Sequence, residues 1–170
     1  MEFTLQGKPT TALQYGAEGV IALHSLSKRS NLAGLRVAFY AGDADIVHYL
    51  KEVRKHAGLM VPGPAQAAGV VALNDVEGVK VQAQVYRRRL ERTAQVISKW
   101  SGRTIDLPAG GFYLWFDATD GWEFAERLAT EGGALVSPGD FYGAGGSNNV
   151  RVAVVQPDDR IELLAQRLLK

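Results

Sequence analysis

The stretch HSLSKRSNLAGLRVAFYAGD, residues 24–43, sets Lys28 directly after the apolar run GVIAL and a Ser-Leu-Ser tripeptide. Residues 19–24 (GVIALH) and 35–41 (LRVAFYA) are short apolar runs bounded by glycine and polar residues, and runs without strict alternation predict strands buried on both faces. Lys28 therefore falls in a loop between two core strands. A solvated surface lysine is the ordinary reading of such a residue, but its neighbours favour a reactive one. Ser25 and Ser27 offer hydroxyls, Gly34 permits a tight return of the chain, and Arg36 offers a guanidinium able to grip a phosphate at two points. The chain from Lys28 to Arg36 spans at most about 28 Å when extended, so a loop that folds back brings both to one ligand. An amine beside hydroxyl and guanidinium donors suits a phosphorylated aldehyde.

Outward from this loop the pattern becomes helical at Asp45, with Ile46, Tyr49, Leu50 and Val53 at three-and-four spacing, and VPGP at residues 61–64 breaks it. Pro64 can open the next helix, PAQAAGVVAL. Residues 77–101 read as one long helix, because Val79, Ala83, Tyr86, Leu90, Ala94 and Ile97 form one apolar stripe. Strand-like runs at 112–116, 134–137 and 150–155 then alternate with helical stretches at 122–131 and 158–169, the last with Ile161, Leu164, Ala165, Leu168 and Leu169 on its apolar face. The layout is α/β, with a composition break near Val61–Pro64 and neither internal repeats nor low-complexity segments.

The 170 residues, 46% hydrophobic and 22% charged, have ordinary globular composition. A chain of this length can bury about 70% of its unfolded surface. The 19 basic residues against 18 acidic ones leave a net charge of +1, which gives no reason to expect nucleic acid or an anionic membrane as partner. The absence of cysteine excludes disulfides, thiolate metal sites and thiol nucleophiles. No apolar run approaches the length of a membrane span, and MEFTLQGK lacks the plan of a signal peptide, so a cytoplasmic protein with a small ligand is expected.

Other candidates read as structural. In YRRRLER (86–92) Arg87 and Glu91 stand four apart on a helix whose other face is core, as a solvated surface would have them. His24, His48 and His56 lie in three different elements without a carboxylate at metal-ligand spacing, so no metal is expected. GAGGSNN (143–149) leads into a strand where a dinucleotide-binding glycine loop would open a helix, and reads as a flexible loop. Ser101 and Ser137 have no nucleophile-elbow pattern around them.

The residues SLSKRSNLAGLRVA, 25–38, resemble the pyridoxal-phosphate attachment signature of class I aminotransferases. GGFYLWFD (110–117) and LVSPGDFYG (135–143) are similar to that family's small-domain strand and proline-glycine loop, and NNVRVAVV follows in the family's order. The resemblance implies the C-terminal portion of a fold type I pyridoxal-phosphate-dependent transferase. Residues 1–60 would be the remnant of the large cofactor-binding domain, 61–76 a connecting helical segment and 77–170 the small domain. It implies Lys28 as the catalytic, cofactor-carrying lysine, Ser25, Ser27 and Arg36 as cofactor-binding residues, and Arg151 as the receptor of the substrate α-carboxylate. Amino acid and 2-oxo acid substrates and a full-length homodimer are implied with them.

In that family an aspartate paired with the pyridine nitrogen and a nearby tyrosine precede the segment that here starts at Met1. The chain is therefore read as about the C-terminal half of an aminotransferase, inactive alone. Within the family, HSLSKRSNLAGLR and LVSPGDFYG are most similar to succinyldiaminopimelate aminotransferases, which implies amino transfer between N-succinyl-LL-diaminopimelate and 2-oxoglutarate in lysine biosynthesis. Alternatives are an aspartate or aromatic aminotransferase, or a non-catalytic regulator built on such a domain.

Overall fold

The computed structural model describes residues 3–170. The chain forms two compact units, one from Lys8 to Gln82 and one combining Phe3–Gly7 with Ala83–Lys170.

In the first unit, β1 (Ile21–Ser25) and β2 (Ala38–Gly42) pair antiparallel, from Ile21 opposite Gly42 to Ser25 opposite Ala38. A one-turn helix, α1 (Leu26–Arg29), and a 3-10 turn at Ala33–Leu35 fill the loop between them. At the other end of the ladder Asp43 accepts hydrogen bonds from the backbone N–H groups of Gly19, Asp45 and Ile46, which caps α2 (Ala44–His56) and ties it to the entry of β1. Gly42, at φ 150°, lies so close to the Val20 carbonyl that a Cβ there would collide with it. The helix α3 (Gly63–Asn74) starts with proline in its first turn, as the sequence leads one to expect, and is followed by α4 (Val76–Ser101).

The expected burial of both strands on both faces is not found. Leu23 is 80% exposed and Phe39 is also exposed. The reason is the ladder itself: among the described residues β1 and β2 pair only with each other, and a two-stranded ribbon cannot cover two faces. The apolar stripe of α2 is likewise open at Tyr49, and α3 exposes Val70 and Val71.

The second unit has a full core. Its sheet runs β3 (Tyr113–Asp117), β5 (Asn149–Ala153), β4 (Ser137–Pro138), all antiparallel. Alternation along the strands buries Leu114 and Phe116 of β3 and Val150 and Val152 of β5. These pack with Leu90, Val96 and Ile97 of α4, Phe124 of α5 (Gly121–Arg127) and Ile161 and Leu164 of α6 (Asp158–Leu168) in the unit's buried core. Phe3 joins this core edge-on to Tyr86 at 5.1 Å, and Tyr86 stacks on Phe112 at 4.9 Å. Arg92 binds Glu162 through both carboxylate oxygens at 2.7 and 2.6 Å, and Arg89 pairs with Asp158, so the basic run in α4 joins it to α6.

Three local expectations give way here. The strand expected at 134–137 shrinks to Ser137–Pro138, paired with Arg151 and Val150, and Leu135 ahead of it is exposed. The helix expected over 122–131 is α-helical only to Arg127 and continues as a π turn to Gly132, closed by Gly133 at φ 69°. The glycine run 143–149, otherwise largely exposed, is anchored at one point: Gly146 is buried, and a Cβ on it or on Gly139 would strike the other's carbonyl oxygen.

Candidate active site

The lysine-bearing turn is built by the end of the β1–β2 ladder. Below the Ser25–Ala38 pair the Leu26 N–H donates to the Val37 carbonyl at 3.2 Å, and Leu26 is fully buried. The backbone at Ser25 is extended, and its Oγ accepts from the Ser27 N–H at 3.2 Å, so Ser25 caps α1. The N–H groups of Ser30 and Leu32 both donate to the Leu26 carbonyl, at 3.1 and 3.3 Å, which curls the chain around that buried residue. With Leu26 inward, Lys28 is exposed, and its amine has no hydrogen-bond or ion-pair partner among the described residues.

Arg36 ends the 3-10 turn in the left-handed region, at φ 55°, and one guanidinium nitrogen donates to the Ala33 carbonyl at 2.9 Å. The rest of its fork is exposed. Gly34 was the residue expected to turn the chain, but the left-handed backbone falls on Asn31 and Arg36 instead. Such conformations cost about 1–3 kcal/mol at non-glycine residues and concentrate at functional sites. The ladder thus gathers Ser25, Ser27, Lys28 and Arg36 into one closed loop.

Arg151 belongs to the second unit. It stands in the middle of β5 opposite Trp115 of β3 and Ser137 of β4, on the sheet face away from Val150 and Val152. Its guanidinium carbon lies 4.5 Å from the ring centre of Tyr113 and 4.6 Å from that of Tyr142. The two rings hold the charged plane between them, each contact worth about 0.5–2 kcal/mol. Its Nε is buried and has no hydrogen-bond partner among the described residues. A guanidinium so fixed presents its remaining N–H groups in the fork that matches a carboxylate.

Sequence reasoning missed three contributors. Tyr113 and Tyr142 come from separate segments and meet only at Arg151. Arg29 donates to the carbonyls of Ala72 and Leu73, a pairing without any local signal. Among the described residues no group of three or more His, Asp or Glu side chains is placed to hold a metal, and no helix is long and apolar enough to cross a membrane.

An exposed lysine turn on an α/β ladder, followed by a separate unit with a caged arginine, has the arrangement of a fold type I aminotransferase, and its solved relatives bear this out. An aminotransferase from Neisseria meningitidis superposes with a TM-score of 0.86 at 29% identity, over 99% of this chain and 46% of that one. The sequence profile of the aminotransferase class I and II family matches residues 3–168, and the chain belongs to that family. A probable aminotransferase of Mycobacterium tuberculosis is 42% identical over 88% of this chain and 36% of its own length. The 4-dedimethylamino-4-oxo-anhydrotetracycline transaminase OxyQ of Streptomyces rimosus is 46% identical over 89% of this chain and 42% of its own. An LL-diaminopimelate aminotransferase of Aquifex aeolicus is 34% identical over 98% of this chain and 44% of its own. The chain thus spans less than half the length of these curated relatives. Members of the family use pyridoxal phosphate.

Proposed function

We propose that this chain supplies the lysine-bearing and carboxylate-binding parts of a pyridoxal-phosphate-dependent aminotransferase. The observation that carries the reading is Lys28: an exposed amine, unpartnered among the described residues, in a turn that also holds Ser25 and Arg36. This donor set fits the cofactor. The Ser25 Oγ accepts from Ser27 N–H and keeps its own proton to donate, and the open part of the Arg36 fork faces solvent. The division into 1–60 as part of the cofactor-binding domain, 61–76 as a connector and 77–170 as the small domain is then kept as the proposed plan, with Phe3–Gly7 packing with the small domain.

Lys28 would hold the cofactor through its side-chain amine, Ser25 and Arg36 would hold its phosphate, and Ser27 would offer a further hydroxyl to it. Once bound, pyridoxal 5′-phosphate supplies an aldehyde for the incoming amine and a conjugated ring that takes up the electron pair left at the substrate Cα. Lys28 would move the proton at that Cα through its side-chain amine. Arg151 receives the α-carboxylate through charge-assisted hydrogen bonds, each worth about 1.5–3 kcal/mol, and Tyr113 and Tyr142 keep its guanidinium from turning.

For the substrate we propose N-succinyl-LL-diaminopimelate with 2-oxoglutarate as acceptor, in a homodimeric, cytoplasmic enzyme of lysine biosynthesis. The wording of two motifs supports it, as does the diaminopimelate named in one relative. A second reading, an aminotransferase for another substrate, is favoured by the higher identity to OxyQ. Amino-donor profiling of a protein with the full length of these relatives separates the two.

The cofactor assignment is tested by borohydride reduction of that protein loaded with pyridoxal phosphate, followed by peptide mass mapping. The adduct is expected on Lys28. An adduct on Lys51, Lys55 or any other lysine overturns the assignment.

A further inference from the structure

The turn that carries Lys28 is held from outside by the residue next to it. Arg29 reaches α3: its guanidinium donates to the Ala72 carbonyl at 2.6 Å and to the Leu73 carbonyl at 3.0 Å, and also to the Ser30 hydroxyl at 3.1 Å. Ala72 and Leu73 lie in the last turn of α3, where the Ala72 carbonyl also accepts the Asp75 N–H at 3.3 Å and the helix dipole is negative, so a fixed cation is well matched there. The same helix meets the turn at a second point, where Gly69 packs under Leu26 and Val37. By contrast α1 is only four residues long, too short to hold its own shape without tertiary contacts.

We propose that Arg29 is a positioning residue: its fork on the Ala72 and Leu73 carbonyls fixes the turn bearing Lys28, and with it the direction from which the Lys28 amine meets cofactor and substrate. The inference rests on reading Lys28 as the cofactor lysine. A lysine at position 29 keeps the charge but not the planar fork that spans two carbonyls. Its loss leaves the fold of α3 in place and loosens the turn.

The test uses the full-length protein with Arg29→Ala and Arg29→Lys. Without cofactor, amide hydrogen exchange at Ser30 and Leu32, both bonded to the Leu26 carbonyl, is expected to quicken about tenfold or more in both variants. With cofactor, the pH midpoint of its visible absorption is expected to shift, and kcat to fall at nearly unchanged KM for the amino donor. Added methylguanidinium is expected to restore the midpoint in Arg29→Ala. A lowered Tm with wild-type exchange at Ser30 and Leu32 and a wild-type midpoint overturns the proposal and makes Arg29 merely structural. If Arg29→Ala does not fold, the same two readouts in Arg29→Lys decide. Exchange is measured on cofactor-free protein, so its outcome is independent of the borohydride mapping that tests Lys28 itself.

Discussion

Gly69 of α3 lies directly against Leu26 of the lysine turn: a Cβ on Gly69 would stand 3.4 Å from Leu26 Cδ1 and 3.1 Å from Val37 Cγ1. One missing methyl group therefore lets the helix seat the loop. A larger side chain must push the turn away, at a cost of about 1–3 kcal/mol. Gly69→Leu is expected to destabilise the first unit by that amount and to weaken pyridoxal phosphate binding. Denaturant titration followed at each unit by hydrogen exchange checks it, with the second unit unchanged.

Arg151→Lys keeps a cation on β5 but removes the plane that Tyr113 and Tyr142 enclose. The expected result in the full-length protein is a fall in kcat/KM of about tenfold to a hundredfold, with the visible absorption of bound cofactor retained. Steady-state kinetics beside an absorption spectrum decides it. Equal loss of both signals would mark Arg151 as structural.

The Asp43 carboxyl is held below the ordinary carboxylate range, first by the Gly19 N–H and then by that of Ile46, with Asp45 adding to them. A depressed pKa gives stabilisation that is complete above the ordinary value, about pH 4, and is lost as pH falls through the depressed one. Protection of the β1 amides is therefore expected to drop below about pH 4 in the native sequence. In Asp43→Asn, whose side chain still accepts hydrogen bonds but does not titrate, that acid dependence should be absent. Hydrogen exchange at two pH values, corrected for intrinsic rates, reads the difference.

The 170 residues alone are expected to show no appreciable transamination. Leu23, Tyr49 and Val71 are open to solvent, which favours association of the first unit, whereas the second buries its core. The measurement is 2-oxoglutarate-dependent turnover of an amino donor by the purified chain, alone and mixed with a separately expressed N-terminal piece completing the length of its relatives. Robust turnover by the chain alone would mean that its own residues suffice, and the proposed division of the site would fail.

What the sequence by itself determined is local. The α4 stripe of Tyr86, Leu90, Ala94 and Ile97 is buried as its period requires, and α6 buries Ile161, Leu164 and Ala165, because helical hydrogen bonds span four residues and leave a 3.6-residue imprint. That Ser25, Ser27, Lys28 and Arg36 share one loop was legible because they lie within twelve positions of one another, between two adjacent strands. For Arg151 only the order of motifs in a known family pointed to a role.

The tertiary structure decided the rest. Burial of a strand depends on what lies over its faces, so apolar GVIALH could not reveal that Leu23 would be open. Arg29 finds carbonyls 43 and 44 residues away, and Arg151 is caged by rings from two other segments. Contacts of this kind are set by how elements pack in three dimensions. They leave no period and no spacing along the chain, and so no local pattern from which they could be read.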